Sequence, residues 1–121
     1  MLFQSLRNIA LVAAMLLNCG ACFTEDLESA NYIMPGCRSF AAETPPSSAA
    51  DDAFKRGQCL GIVDTIAALT ADVCHPPGVT SGQAVSVVVK YIDDRPARMH
   101  ESFRLLAREA LRAAWPCLGT K

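Results

Sequence analysis

Apolar positions recur along this chain at the three-to-four-residue spacing of a helix face, and they fall into four blocks. In residues 25–38, Leu27, Ala30, Ile33 or Met34, and Cys37 share one side. Thr24 suits the N-cap there, and Glu25, Asp26 and Glu28 complement the positive helix end. Pro35-Gly36 predicts that this helix is short, kinked or split. The longest block, residues 51–74, opens on Asp51 and Asp52. It aligns Phe54, Ile62, Ile66 and Leu69 in a stripe, with Cys59 and Val63 beside it. Gly57 and Gly61 lie four apart and predict a small-residue groove for close approach of a second backbone. The charges of Lys55, Arg56 and Asp64 exclude a membrane span.

The third block, residues 80–93, is mixed. Val85, Val87, Val88 and Val89 favour a strand by propensity. Yet Val85, Val88, Val89 and Ile92 follow the i, i+3, i+4, i+7 pattern, and Thr80 with Gln83 makes a capping box, so the prediction is a helix. A last helix begins at Pro96, with Met99, Phe103, Leu106, Ala110 and Ala113 or Ala114 buried. Arg98, Glu101, Arg104, Arg108 and Arg112 take largely the other face, with Glu101–Arg104 and Glu109–Arg112 pairs expected. Pro116 ends it. Between the blocks, residues 41–50 read as a solvated loop with two prolines and two serines. Pro76, Pro77 and Gly78 form a rigid corner after Cys74. The expected fold is all-α, a small disulfide-stapled bundle of about four helices.

Length and cysteines add to this picture. The chain has 121 residues, enough for one domain. Its start has the layout of a secretory signal peptide: Arg7, an apolar run from Ile9 to Leu17 too short to span a bilayer, then small residues at Gly20 and Ala21. Residues 1–21 are therefore expected to be removed, leaving a single domain over 22–121. Cys22 would be the first mature residue. A lipoprotein also begins at cysteine, but usually with Leu at −3, where this chain has Cys19.

Of the six cysteines, Cys19 falls in the leader and Cys22 sits at its edge, which leaves Cys37, Cys59, Cys74 and Cys117. In a small exported protein they read as two disulfides. Zinc is disfavoured, since the mature region has no Cys-x-x-Cys pair. If one helix joins Cys59 to Cys74, they are about 22 Å apart, beyond the roughly 7 Å that a disulfide allows. Two connectivities remain: Cys37–Cys59 with Cys74–Cys117, or Cys37–Cys74 with Cys59–Cys117. The first is preferred, because it clips the first helix to the central one and ties the corner to the C-terminus.

Charge and chemistry exclude more than they assign. The net charge is −1, and the few aromatics are not interleaved with basic residues, which argues against nucleic acid. Acids dominate residues 25–72 and arginines residues 95–112. The two histidines, His75 and His100, have no nucleophile or carboxylate partner in any motif. The chain reads as a non-enzyme with no cofactor and no metal.

The motifs Gly57-x-Cys59-x-Gly61, Cys74-x-Pro76-x-Gly78-Val79-Thr80-x-Gly82-Gln83, Val87-Val88-x-x-Tyr91, Pro96-x-x-x-His100 and Trp115-Pro116-Cys117 together resemble the Tai/Rap family of immunity proteins. The similarity runs from about Asn31 to Cys117. It implies a periplasmic, disulfide-bonded, all-α protein that binds a type VI secretion peptidoglycan amidase and blocks its active site. Family members are often dimers, so the resemblance also implies a possible homodimer. The alternative is a periplasmic binding or stress module of the same fold with no cognate toxin. The Pro45-Pro46-Ser47-Ser48 stretch and His75, where an isoleucine is more usual, depart from the family pattern. The toxin-contacting residues are not part of the shared motif. The candidates are exposed loops and the arginine face: His75, Asp93, Asp94, Arg95, Arg98, Arg104 and Arg108.

Overall fold

A computed structural model describes residues 26–42 and 49–119. The leader at 1–21, Cys22, the Thr24 cap and the Pro45-Pro46-Ser47-Ser48 stretch lie outside them. The described residues form four α-helices: α1 (Ala30–Ala41), α2 (Ala50–Leu69), α3 (Ser81–Asp93) and α4 (Phe103–Ala114). A 3-10 turn, Pro96–Arg98, lies between α3 and α4. No strand occurs among the described residues, only two isolated bridges. The protein is an all-α bundle with two disulfides. The core gathers Ile33, Met34, Val63, Val85, Val88, Ile92, Phe103, Leu106 and Leu111, all fully buried or within 2% of it. Each such side chain contributes about 1.5–3 kcal/mol relative to exposure.

The third block forms its helix as patterned. The Thr80 side chain accepts from the Gln83 amide at 3.2 Å, and Val85, Val88 and Ile92 face the core. Gly78 precedes this cap at φ 91°, a left-handed turn that suits glycine.

Helix α1 departs from its expected start and course. It begins at Ala30, not in the mid-twenties, because Ser29 takes the cap and accepts from the Tyr32 amide at 3.4 Å. The next two orphan amides are met from across the fold. Ala30 donates to the Glu101 carbonyl at 2.9 Å and Asn31 to the Met99 carbonyl at 2.8 Å. Phe103, opening α4, donates back to the Glu28 carbonyl at 2.8 Å. Pro35 does not end α1, which runs on to Ala41. It removes one intrahelical bond, and the buried contacts of Ile33, Met34, Gly36 and Cys37 on either side of it hold the helix.

Helix α2 ends at Leu69, short of Cys74. Val73 leaves the helix to bridge Pro116, and the Cys74 amide donates to the Trp115 carbonyl at 2.9 Å. Cys59 and Cys74 are thus not joined by one unbroken helix. The buried side of α2 is also rotated from the predicted stripe. Cys59 and Val63 are fully buried, with Ile62 and Ile66 partly so, while Phe54 is 62% and Leu69 79% exposed. Gly57 and Gly61 line no groove: a Cβ at either would meet nothing within 4 Å. The close approach is made by Gly36 of α1, where a Cβ would run into the Lys55 carbonyl and come within 2.9 Å of the Lys55 Cβ.

Helix α4 begins at Phe103, because Pro96 opens the separate 3-10 turn. Its buried face is Phe103, Leu106, Ala107, Ala110 and Leu111. Ala113 and Ala114 are exposed, since the helix is ending as the chain turns toward the corner.

Candidate functional site: an ion-paired surface without a catalytic centre

The cysteines are placed by the helices. Cys37 on α1 bonds Cys59 on α2, with both fully buried. Cys74, at the corner, bonds Cys117 beyond α4 and is exposed. The corner carries His75, also exposed, which meets the Trp115 ring edge-on at 6.4 Å between centroids. His75, Trp115, Asp64, Thr80 and Ala84 are among the residues lining a depression of about 240 Å³. Among the described residues, no three His, Cys, Asp or Glu side chains gather as metal ligands.

The remaining candidates separate by what they already bind. Asp93 accepts from Arg38 Nε at 3.0 Å and Nη2 at 2.6 Å, tying the end of α3 to α1. Asp94 caps α3 and meets Lys90 Nζ at 3.3 Å. The Arg95 guanidinium lies 3.7 Å from the Tyr91 ring centroid and donates to the Tyr91 carbonyl at 2.8 Å. Such stacking with a fixed donor marks a packed arginine.

Arg98 is the most heavily engaged. Its Nε and Nη2 donate to the two Glu101 oxygens at 2.8 and 2.7 Å, and Nη1 donates to Glu109 Oε2 at 2.7 Å. Tyr91 Oη donates to the same Glu109 oxygen at 3.3 Å. The expected pairs of Glu101 with Arg104 and Glu109 with Arg112 do not form, because Arg98 reaches both acids from the 3-10 turn. Its hydrogen bonds hold both carboxyls below their usual range. The carboxylates, Glu101 foremost, in turn hold the guanidinium firmly protonated.

Helix α4 turns a different face to solvent. Arg108 donates through Nε and Nη2 to Asp72 at 3.3 and 2.9 Å, and Arg112 Nη1 meets the same carboxylate at 3.3 Å. The Arg108 bond is the leading cause that lowers the Asp72 pKa, followed after desolvation by that of Arg112. Arg104 is exposed, with no hydrogen bond or ion pair among the described residues. Leu105, on the same face, is 48% exposed. Leu105, Arg108, Glu109 and Arg112 line a depression of about 210 Å³. Sequence reasoning had put the arginines here but not Asp72 or Leu105, whose part depends on the packing of α2 against α4.

The candidate residues therefore do not converge on one centre. His75 stands at the corner, Asp93 ties α3 to α1, Asp94 and Arg95 bond back onto α3, Arg98 braces the 3-10 turn to α4, and Arg104 and Arg108 lie on the outer α4 face. The family model for Rap1a immunity proteins matches residues 24–117, which includes every helix described above. No curated protein and no solved structure matches the chain.

Proposed function

We propose that this chain, which belongs to the Rap1a immunity protein family, binds a type VI secretion peptidoglycan amidase in the periplasm and blocks its active site, protecting the cell from siblings that carry the toxin. The observation that carries this reading is the family match over nearly all of the described chain. The fold is consistent with it. Two disulfides suit an exported protein. No described helix is long and apolar enough to cross a membrane. The signal-peptide layout of residues 1–21 supplies the export route.

The test uses the disulfide-bonded chain and the secreted peptidoglycan amidase of the same cell. The amidase is expected to co-purify with the chain and to lose peptidoglycan-cleaving activity when the two are mixed. Absence of both binding and protection overturns the reading.

A further inference from the structure

We propose that the outer face of α4, with Arg104, Leu105, Arg108 and Arg112, is the surface that docks the toxin, and that it fits a partner whose carboxylates surround an exposed apolar side chain. The identity of the partner rests on the immunity reading; the surface rests on the structure.

Three facts single this face out. First, it has cationic capacity left over. Asp93, Arg95 and Arg98 are spent on contacts within the fold. Arg108 and Arg112 instead share one carboxylate, and Arg104 has none among the described residues. Among the described residues, no partner takes the N–H groups of Arg108 Nη1 or of Arg112 Nε and Nη2. The one other acid on the face, Glu109, is already bonded to Arg98 and Tyr91. Second, the arginines are arranged before any partner arrives. Asp72 holds two guanidiniums side by side, which reduces the ordering cost of binding through them. Third, the face is not purely polar: Leu105, 48% exposed, lines the same depression as Arg108 and Arg112. Arginine around an apolar centre is the composition of a protein-binding patch, and the surplus charge would steer an acidic partner.

The corner depression at His75 lacks these properties. Among the described residues that line it there is one carboxylate, Asp64, and no arginine or lysine.

Two arms test the surface. In the first, a peptide interleaving Glu with Leu is titrated into the isotope-labelled, disulfide-bonded chain. Amide shifts are expected to cluster at Arg104, Leu105, Arg108 and Arg112 and to fade with salt. Shifts that cluster elsewhere, or none, overturn the proposal. In the second, amidase affinity is measured for Arg104→Glu, Leu105→Ser and His75→Ala. Each α4 variant should weaken binding about tenfold, with His75→Ala unchanged. Circular dichroism confirms the folding of each; Arg104 has no described partner to lose. Wild-type binding with unaffected α4 variants overturns the surface alone. Failure of the wild-type chain to bind the amidase overturns the immunity reading, and the peptide arm then decides the surface.

Discussion

The glycines show how a single residue decides between close packing and open solvent. Gly36 is buried where α1 crosses α2, and an added Cβ would collide with the Lys55 backbone. Gly57 is exposed within α2 with nothing in reach. The two are expected to respond in opposite directions to alanine. Gly36→Ala should destabilise the fold by about 1–3 kcal/mol through overpacking. Gly57→Ala should stabilise it by up to about 1 kcal/mol, because it removes the cost of glycine in a helix interior. Urea denaturation of the two variants, with the disulfides intact, measures both signs. Equal effects would mean that the α1–α2 contact is looser than described. Sequence spacing pointed to the wrong glycines, because two glycines four apart show a possible groove but not which way the helix face turns. Gly36 was hidden beside Pro35, where the pair reads as a break.

At the level of the helices, what was legible came from signals local to each element. The Thr80 side-chain cap on the Gln83 amide and the Val85, Val88, Ile92 face need only their own segment, and they appear as patterned. What was missed was set by neighbours. Ser29 starts α1 where the chain pairs with residues 99–102, and α2 ends where Val73 and Cys74 bond to Trp115 and Pro116. The candidate site divided in the same way. The arginines were visible from their spacing, but Arg98 proved to be the brace between the 3-10 turn and α4. This brace carries a pH prediction. Glu101 and Glu109 have carboxyl pKa values lowered in the folded state, chiefly by the Arg98 hydrogen bonds. A lowered folded pKa adds stability that is complete above the unfolded value of about 4.3 and is lost as pH falls through the folded value. Stability should therefore decline as the solution is acidified below about pH 4. Glu109→Gln should flatten that decline, since one of the titrating groups is gone. Denaturation midpoints across this range check it; an unchanged acid slope would mean that the pair contributes nothing.

For the whole molecule, the two disulfides divide the labour that a small core leaves undone. They span 22 and 43 residues of sequence. Loop-closure entropy assigns them roughly 3 and 4 kcal/mol, comparable to the net stability of a domain this size. Their similar weight means that access, rather than stabilisation, sets the order in which they open. Cys37 and Cys59 are both fully buried, and a reductant reaches them only when α1 and α2 separate. Cys74 is exposed, so a small dithiol reaches the second bridge in the native state. Under limiting dithiol, alkylation followed by peptide mapping should label Cys74 and Cys117 first, while the α1–α2 bridge persists and far-ultraviolet dichroism holds. Loss of the Cys37–Cys59 bridge should coincide with unfolding. Simultaneous labelling of all four thiols would show instead that the corner and the bundle open as one unit. The order matters for the proposed role, because the outer α4 face precedes the tail that Cys117 anchors. A chain reduced only at the corner should keep its helices while losing the covalent tie between the corner and the tail after α4.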